Sequence, residues 1–126
     1  GARHPASNMM HENAKHFGLY HRLPEMNHHL LEALSFPPKL GRILYGVFFD
    51  SSLVRPMVRQ RGLVTQDIFT KQGIKNETVK LRGTDALSAS LELVMLCAAA
   101  SVYLAMLHRV DPSEIPWVDY FKKHLH

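Results

Sequence analysis

The chain has 126 residues, of which 46% are hydrophobic and 21% charged, and its formal net charge at pH 7 is +4. These values fit a soluble globular protein of about one domain, long enough to bury a core. The single cysteine excludes a disulfide framework and a cysteine-based zinc site, and it suits a reducing cytosol. The densest basic cluster, Arg55, Arg59 and Arg61, is interpreted as a solvated helix face rather than a phosphate or nucleic-acid patch, so we expect no nucleic-acid partner.

The first ten residues lack the charged start and apolar core of a secretory signal. The longest uncharged run, residues 93–107, is shorter than the roughly 20 residues that a membrane-spanning helix needs. We interpret this run as a buried helix of a soluble protein. The sequence therefore predicts a cytoplasmic protein with no membrane partner.

Helices and strands are predicted to alternate from the start of the chain. Residues 7–17 contain few helix breakers and predict a helix that ends at Gly18. Residues 19–23 are apolar at alternate positions, which favours a short strand. Residues 25–34 have the composition of a short amphipathic helix, and a proline-containing loop follows them.

The middle of the chain predicts a strand, a helix and a second strand. The continuous apolar run over residues 43–49, closed by Asp50, is typical of a strand buried on both faces in a parallel sheet. A helix is predicted over residues 56–72, because proline suits a first helical turn, with Gly73 as its carboxyl-terminal cap. Residues 77–81 alternate in polarity and predict another strand.

The last part of the chain is predicted to be helical. A long helix, capped by Thr84 or Asp85 and reaching Val110, is apolar nearly all round its second half and is predicted to be central. A short helix follows over residues 117–125. Strands that alternate with helices predict an α/β fold with a parallel sheet. Because three strands are few for a self-sufficient sheet, we expect pairing with another chain or with a further domain.

Two short polar words near the start carry a family resemblance. They are residues 11–15, His-Glu-Asn-Ala-Lys, and residues 23–29, Leu-Pro-Glu-Met-Asn-His-His. In order and spacing they resemble the N-E-N-A-K-like and P-E-x-N-H words in the carboxyl-terminal half of bacterial and archaeal glucose-6-phosphate isomerases, including the bifunctional phosphoglucose/phosphomannose isomerases. The likeness continues through residues 103–112 and 115–122. It implies that residues 1–126 form the C-terminal sugar-isomerase (SIS) domain of a two-domain isomerase, a three-layer αβα sandwich with a mostly parallel sheet.

The resemblance also implies an activity and three site residues. The reaction is the interconversion of glucose 6-phosphate and fructose 6-phosphate through a cis-enediol, in glycolysis and gluconeogenesis, without a cofactor or metal. Glu12 matches the family's base, and a carboxylate suits this role because its conjugate acid returns the proton. His28 matches the histidine that opens the sugar ring, since an imidazole exchanges protons in both directions near neutrality. Lys122 matches a tail lysine that approaches the substrate oxygens and offsets enediolate charge.

The family's architecture implies two partners. Its active site lies at a dimer interface, where the histidine comes from the neighbouring subunit, so the resemblance implies a homodimer. The family's first half supplies a Ser/Thr loop that binds the sugar phosphate and an arginine that steadies the enediolate. This chain has no such loop after a strand, so we expect the N-terminal SIS domain of the same protein as a partner, and weak or no activity from this chain alone.

The chain departs from the family words at two positions. His11 stands where the family usually has asparagine, although the following glutamate remains. Ile115 precedes Pro116, whereas bifunctional members have a small hydroxyl residue there. Activity on mannose 6-phosphate is therefore not implied.

Other chemistries fit the sequence poorly. His11 and His16 are five residues apart and leave a common helix face, and the adjacent His28 and His29 diverge, so no metal site is predicted. The sequence contains no Gly-x-Ser-x-Gly motif, so a nucleophilic hydrolase is not predicted. Two alternatives stay open: a non-catalytic sugar-phosphate-binding or regulatory SIS module, and a purely structural dimerisation domain. A base and a ring-opening histidine together favour the enzyme.

Overall fold

The computed structural model of the protein describes residues 5–125. In chain order, its elements are α1 (Pro5–Glu12), α2 (Met26–Ala33), α3 (Leu40–Ile43), β1 (Tyr45–Ser51), α4 (Pro56–Lys71), β2 (Lys75–Leu81), α5 (Ala86–His108) and α6 (Pro116–Lys123). Two compact units divide the described residues: one contains those up to Tyr20 and from Ser90 onward, and the other is His21–Ala89. The predicted α/β class and parallel sheet are confirmed.

A strand–helix–strand unit forms the centre of the His21–Ala89 unit. β1 and β2 pair in parallel, from Tyr45 opposite Lys75 to Ser51 opposite Leu81. Helix α4 connects them, because parallel strands need a crossover rather than a tight turn. The sheet within residues 5–125 has these two strands.

The core of this unit lies between the sheet, α2 and α4. Its buried members are Met26, Leu34, Phe69 and Ile74. Phe69 meets the ring of Phe48 edge-on, with their centroids 5.3 Å apart. Burying these apolar side chains stabilises the placement of α2 on α4, at about 1.5–3 kcal/mol for each large side chain.

Helix α4 begins and ends as the sequence predicts. Pro56 occupies its first turn, and Gly73 follows its end with φ +74°, a left-handed conformation that favours glycine. At the amino-terminal end of α4, Arg59 Nε lies 3.1 Å from Asp50 Oδ1, and Arg59 Nη2 donates to the carbonyl of Ser51 at 2.7 Å. The guanidinium therefore ties α4 to the end of β1.

Two strand predictions are wrong. Residues 19–22 have no regular structure and 23–25 form a turn, because among the described residues no strand pairs with this segment, and its polar backbone stays solvated. β1 is not buried on both faces: Gly46 is buried against Phe69, but Tyr45 and Val47 are 54% and 50% exposed. Helix α4 packs on one face of β1, and the side chains of Tyr45 and Val47 on the other face are about half exposed.

The first helix is shorter than predicted, since α1 ends at Glu12 rather than near Phe17. Lys15 follows in the left-handed region, with φ +52°, which turns the chain away from the helix axis. Gly18 therefore does not cap the helix. Its backbone instead contacts the His11 side chain.

Helix α5 has the predicted cap but lacks the predicted burial. Asp85 Oδ1 accepts hydrogen bonds from the backbone N–H groups of Leu87 and Ser88, at 2.9 and 3.0 Å. Only 17% of its most apolar 18-residue window is buried, so the prediction of a central, buried helix is wrong for the described chain. By length and composition alone, this helix would be able to cross a membrane. Its large exposed apolar side chains are Leu87, Leu91, Met95, Leu96, Val102, Tyr103, Met106 and Leu107.

Candidate functional site

Glu12 is the last residue of α1, and its side chain is exposed. The ammonium of Lys15 donates to the backbone carbonyl of Glu12 at 2.6 Å and to that of Pro112 at 3.3 Å. This cation satisfies a carbonyl at the helix end, where its charge also complements the helix dipole. A left-handed lysine is a locally strained conformation, and such residues cluster at functional sites.

The segment that holds Lys15 has its own hydrogen bonds. Asp111 Oδ1 accepts from the hydroxyl of Ser113 at 2.6 Å and from its backbone N–H at 2.8 Å. These bonds, with a smaller contribution from the Lys15 charge, hold the pKa of Asp111 below its ordinary value. The carboxylate therefore stays ionised and adds to the attraction for Lys15.

The two residues after Glu12 are anchored in the interior. Ala14 is fully buried, and its carbonyl lies 3.0 Å from Nδ1 of His108. The side-chain amide of Asn13 donates to the hydroxyl of Ser101 in α5 at 2.9 Å, and Ser101 is also fully buried. The backbone beside Glu12 is thus held at two successive residues.

His11, which departs from the family word, closes the loop that follows. Its Nε2 lies 2.8 Å from the carbonyl oxygen and 3.2 Å from the backbone nitrogen of Gly18. The ring also stacks on Phe17, with centroids 6.4 Å apart. His11 therefore spans seven residues and encloses the rest of the polar word.

Lys122 lies in the last turn of α6, with an exposed side chain. Neighbouring aromatic residues of this helix are also exposed: Trp117 by 82% and Phe121 by 62%. The rings of Tyr120 and His124 stack at 4.1 Å. Lys122 and Glu12 belong to the same compact unit.

His28 lies in the first turn of α2, in the other unit, and its imidazole is exposed. It neighbours the ring of His29, with centroids 6.3 Å apart. The preceding residue, Asn27, donates through Nδ2 to the hydroxyl of Thr65 in α4 at 2.7 Å. Its Oδ1 is buried and has no hydrogen-bond partner among the described residues.

A cavity of about 250 Å³ lies beside this pair. It is lined by Asn27, Leu31, Gln60, Arg61, Val64 and Thr65. The lining combines apolar side chains with a cation, two amides and a hydroxyl.

Within residues 5–125, the side chains of Glu12, His28 and Lys122 are exposed and make no hydrogen bond or ion pair. Their roles stay predictions. No group of three or more His, Cys, Asp and Glu side chains that would hold a metal occurs in this part of the chain.

Four residues around these positions were not singled out from the sequence: Asn13, Asn27, Thr65 and Ser101. Each asparagine stands in one of the two polar words, next to a predicted site residue. Each hydroxyl residue stands in the middle of a helix, where it lowers helix propensity and is available to bond with side chains of other elements. The sequence alone does not reveal these pairs, because each hydroxyl lies far along the chain from its asparagine.

Comparison with known proteins identifies the family to which the chain belongs. The chain belongs to the family described as the bacterial phospho-glucose isomerase C-terminal SIS domain, whose model matches residues 2–125. It is 31% identical, over 114 residues, to the bifunctional phosphoglucose/phosphomannose isomerase of Aquifex aeolicus (strain VF5). The match covers 90% of this chain and 35% of that relative, so the chain spans about a third of the relative's length. No solved structure matches significantly.

Proposed function

We propose that this chain is the C-terminal SIS domain of a cytoplasmic sugar-phosphate isomerase that interconverts glucose 6-phosphate and fructose 6-phosphate. The observation that carries the proposal is the family match over residues 2–125, which includes both polar words with Glu12 and His28 in place. The presence of Ile115 before Pro116 favours glucose 6-phosphate over mannose 6-phosphate as the substrate.

The reaction moves protons and needs no net oxidation. His28 passes a proton to the ring oxygen while the bond from that oxygen to carbon 1 breaks, and the carbon 1 hydroxyl releases its own proton, so that the open-chain carbonyl forms. Glu12 then removes the proton from carbon 2, and the electron pair forms the enediol double bond. The oxygen on carbon 1 takes up a proton as the hydroxyl on carbon 2 gives one up, and return of the carbon-bound proton from Glu12 to carbon 1 gives the ketose and restores the carboxylate. Lys122 offsets the negative charge on the oxygens while the enediolate exists.

The exposure of the three side chains fits a site that is completed by other protein. Glu12 and Lys122 lie in one compact unit and His28 in the other. We propose that a homodimer supplies His28 from the neighbouring subunit and that the N-terminal SIS domain supplies the phosphate-binding loop. The match covers most of this chain but only 35% of the relative, and this difference supports the proposal of a further domain.

The apolar surface of α5 supports the same assembly. Soluble proteins seldom expose such a stretch unless another surface covers it. We propose that protein, rather than lipid, covers it, since the family match places α5 in an SIS domain. Multi-angle light scattering of the intact protein should show a dimer. Sedimentation with phosphatidylcholine vesicles would contradict the proposal.

The activity is tested in the intact gene product by following fructose 6-phosphate conversion. Glu12→Gln keeps the size of the side chain but removes the base, and we expect conversion to fall about 100- to 10,000-fold. Glu114→Gln is the matched control, because Glu114 is an exposed carboxylate outside the polar words. It should convert substrate at the wild-type rate.

The alternatives give different results in the same experiment. A non-catalytic sugar-phosphate-binding or regulatory module would bind fructose 6-phosphate without converting it, and Glu12→Gln would change nothing. A purely structural dimerisation domain would retain all function when Glu12 and His28 are both replaced by alanine. Either result would refute the proposed isomerase.

A further inference from the structure

Among the residues that the structure describes, two hydroxyl side chains are completely buried, and both lie in the middle of helices. Thr65 of α4 and Ser101 of α5 are 0% exposed, and they are the buried polar residues among the described part of the chain. A buried hydroxyl costs free energy unless hydrogen bonds satisfy it. The partners of these two hydroxyls therefore show what their burial achieves.

The hydroxyl of Thr65 donates one hydrogen bond and accepts another. Its Oγ1 donates to the carbonyl of Arg61, one turn earlier in α4, at 2.7 Å. The same oxygen accepts from Nδ2 of Asn27 in α2, also at 2.7 Å. The hydrogen bonds thus run in one direction, from the amide through the hydroxyl to the α4 backbone.

Ser101 repeats this arrangement in the other unit. Its Oγ donates to the carbonyl of Ala98 at 2.8 Å and accepts from Nδ2 of Asn13 at 2.9 Å. Both pairs therefore join an asparagine to a buried hydroxyl whose own proton is bonded to its helix backbone. A hydroxyl committed in this way has little freedom to rotate, so it holds the amide in a single place.

Each asparagine is the immediate chain neighbour of a predicted site residue: Asn13 follows Glu12, and Asn27 precedes His28. We propose that Asn13–Ser101 and Asn27–Thr65 are positioning pairs, which fix the backbone beside the base and beside the ring-opening histidine. This inference rests on the proposed function and deepens it, because it assigns a positioning role to the asparagine of each polar word.

The geometry explains why positioning is needed here. Glu12 and His28 are exposed, and their side chains make no hydrogen bond within residues 5–125. The position of each side chain is therefore determined by the backbone to which it is attached. A displacement of about 1 Å at a reacting group costs on the order of 100-fold in rate.

A third pair of the same chemistry provides a control. Asn76 Nδ2 donates to Thr70 Oγ1 at 3.1 Å, and Thr70 Oγ1 donates to the carbonyl of Gln66 at 3.0 Å. Thr70 is in the same helix as Thr65, but it is exposed and adjoins neither polar word. Thr70→Val therefore removes an exposed hydroxyl that accepts from an asparagine, without disturbing a predicted site residue.

The experiment uses the intact gene product. Thr65→Val and Ser101→Ala should lower kcat about 10- to 100-fold with KM changed less than about threefold, while Thr70→Val stays at the wild-type rate. Thr65→Ser should restore activity, because it keeps the hydroxyl. With substrate deuterated at carbon 2, Ser101→Ala should raise the isotope effect on kcat, since proton transfer by Glu12 becomes slower.

Asn13→Ala and Asn27→Ala serve if the hydroxyl variants fail to fold. Each removes only the donor and leaves the hydroxyl bonded to its own helix, and each should lower kcat in the same way. If Glu12→Gln inactivates the enzyme while these variants match Thr70→Val, the positioning pairs are refuted and the isomerase stands. If the wild-type protein is inactive, or Glu12→Gln is without effect, the proposed function itself fails.

Discussion

At Gly46, β1 packs closely against Phe69 of α4, and Gly46→Ala tests that packing. A Cβ there would lie 2.9 Å from Cδ1 and 3.0 Å from Cε1 of Phe69, and 3.1 Å from Cβ of Asn76. The Phe69 ring is 8% exposed and rests edge-on against Phe48, so it has little room to move. Overpacking costs about 1–3 kcal/mol. Alanine recovers about 0.5–1 kcal/mol of glycine's strand penalty, which leaves a net loss of up to about 2.5 kcal/mol.

A double-mutant cycle separates this clash from a general strand effect. Phe69→Leu shortens the ring that obstructs the new methyl group, so Gly46→Ala should be less harmful in that background, with a coupling of about 0.5–3 kcal/mol. Native-state hydrogen exchange of the β1 and β2 amides measures the free energy of opening. Gly62→Ala is the control, because its Cβ would meet only Leu23 Cδ1 at 3.4 Å, and it should stabilise α4 by up to about 1 kcal/mol. Strictly additive effects in the cycle would show that the contact with Phe69 is not the cause.

Two further predictions concern α5. The bonds from Ser88, followed by that from Leu87, lower the pKa of Asp85 from 3.8, so its stabilising effect is complete above that pH and disappears as pH falls through the lowered folded-state value. In thermal unfolding at pH 7, Asp85→Ala should be less stable than Asp85→Asn, because asparagine still caps the helix. The difference in stability between the wild type and Asp85→Asn should shrink below about pH 4. A difference that stays the same at low pH would contradict this. Burial raises the pKa of the Cys97 thiol, and its side chain is 4% exposed, so Ellman's reagent should label it at least about tenfold more slowly in the native protein than in urea. Equal labelling rates would mean that α5 opens freely.

The sequence predicted the elements whose causes are local. Pro56 and Gly73 determine the ends of α4 through their backbone conformations, and Asp85 caps α5 through bonds to residues two and three positions away. The strand expected at residues 19–23 failed because a strand depends on a distant partner, which alternation of side chains does not reveal. The prediction that α1 reaches Phe17 was wrong for a similar reason, since Lys15 bonds both the nearby carbonyl of Glu12 and the carbonyl of Pro112, 97 residues away.

Only part of the candidate site was predicted, because some of its residues depend on partners that are distant in the sequence. Glu12 and His28 came from a family resemblance, whereas Thr65 and Ser101 have no recognisable word around them. A serine or threonine in a helix acquires meaning only when the fold presents an amide to it. Both amides lie far away in sequence, at separations of 38 residues for Thr65 and 88 residues for Ser101. No local pattern encodes such a pairing.

The two-stranded sheet has a consequence for handling this polypeptide. Within residues 5–125 each strand pairs along one side only, so both outer edges present free backbone donors and acceptors. Unprotected edges of this kind recruit other strands and promote aggregation, and two strands alone are marginally stable in water. We therefore expect this polypeptide to aggregate more readily as its concentration rises.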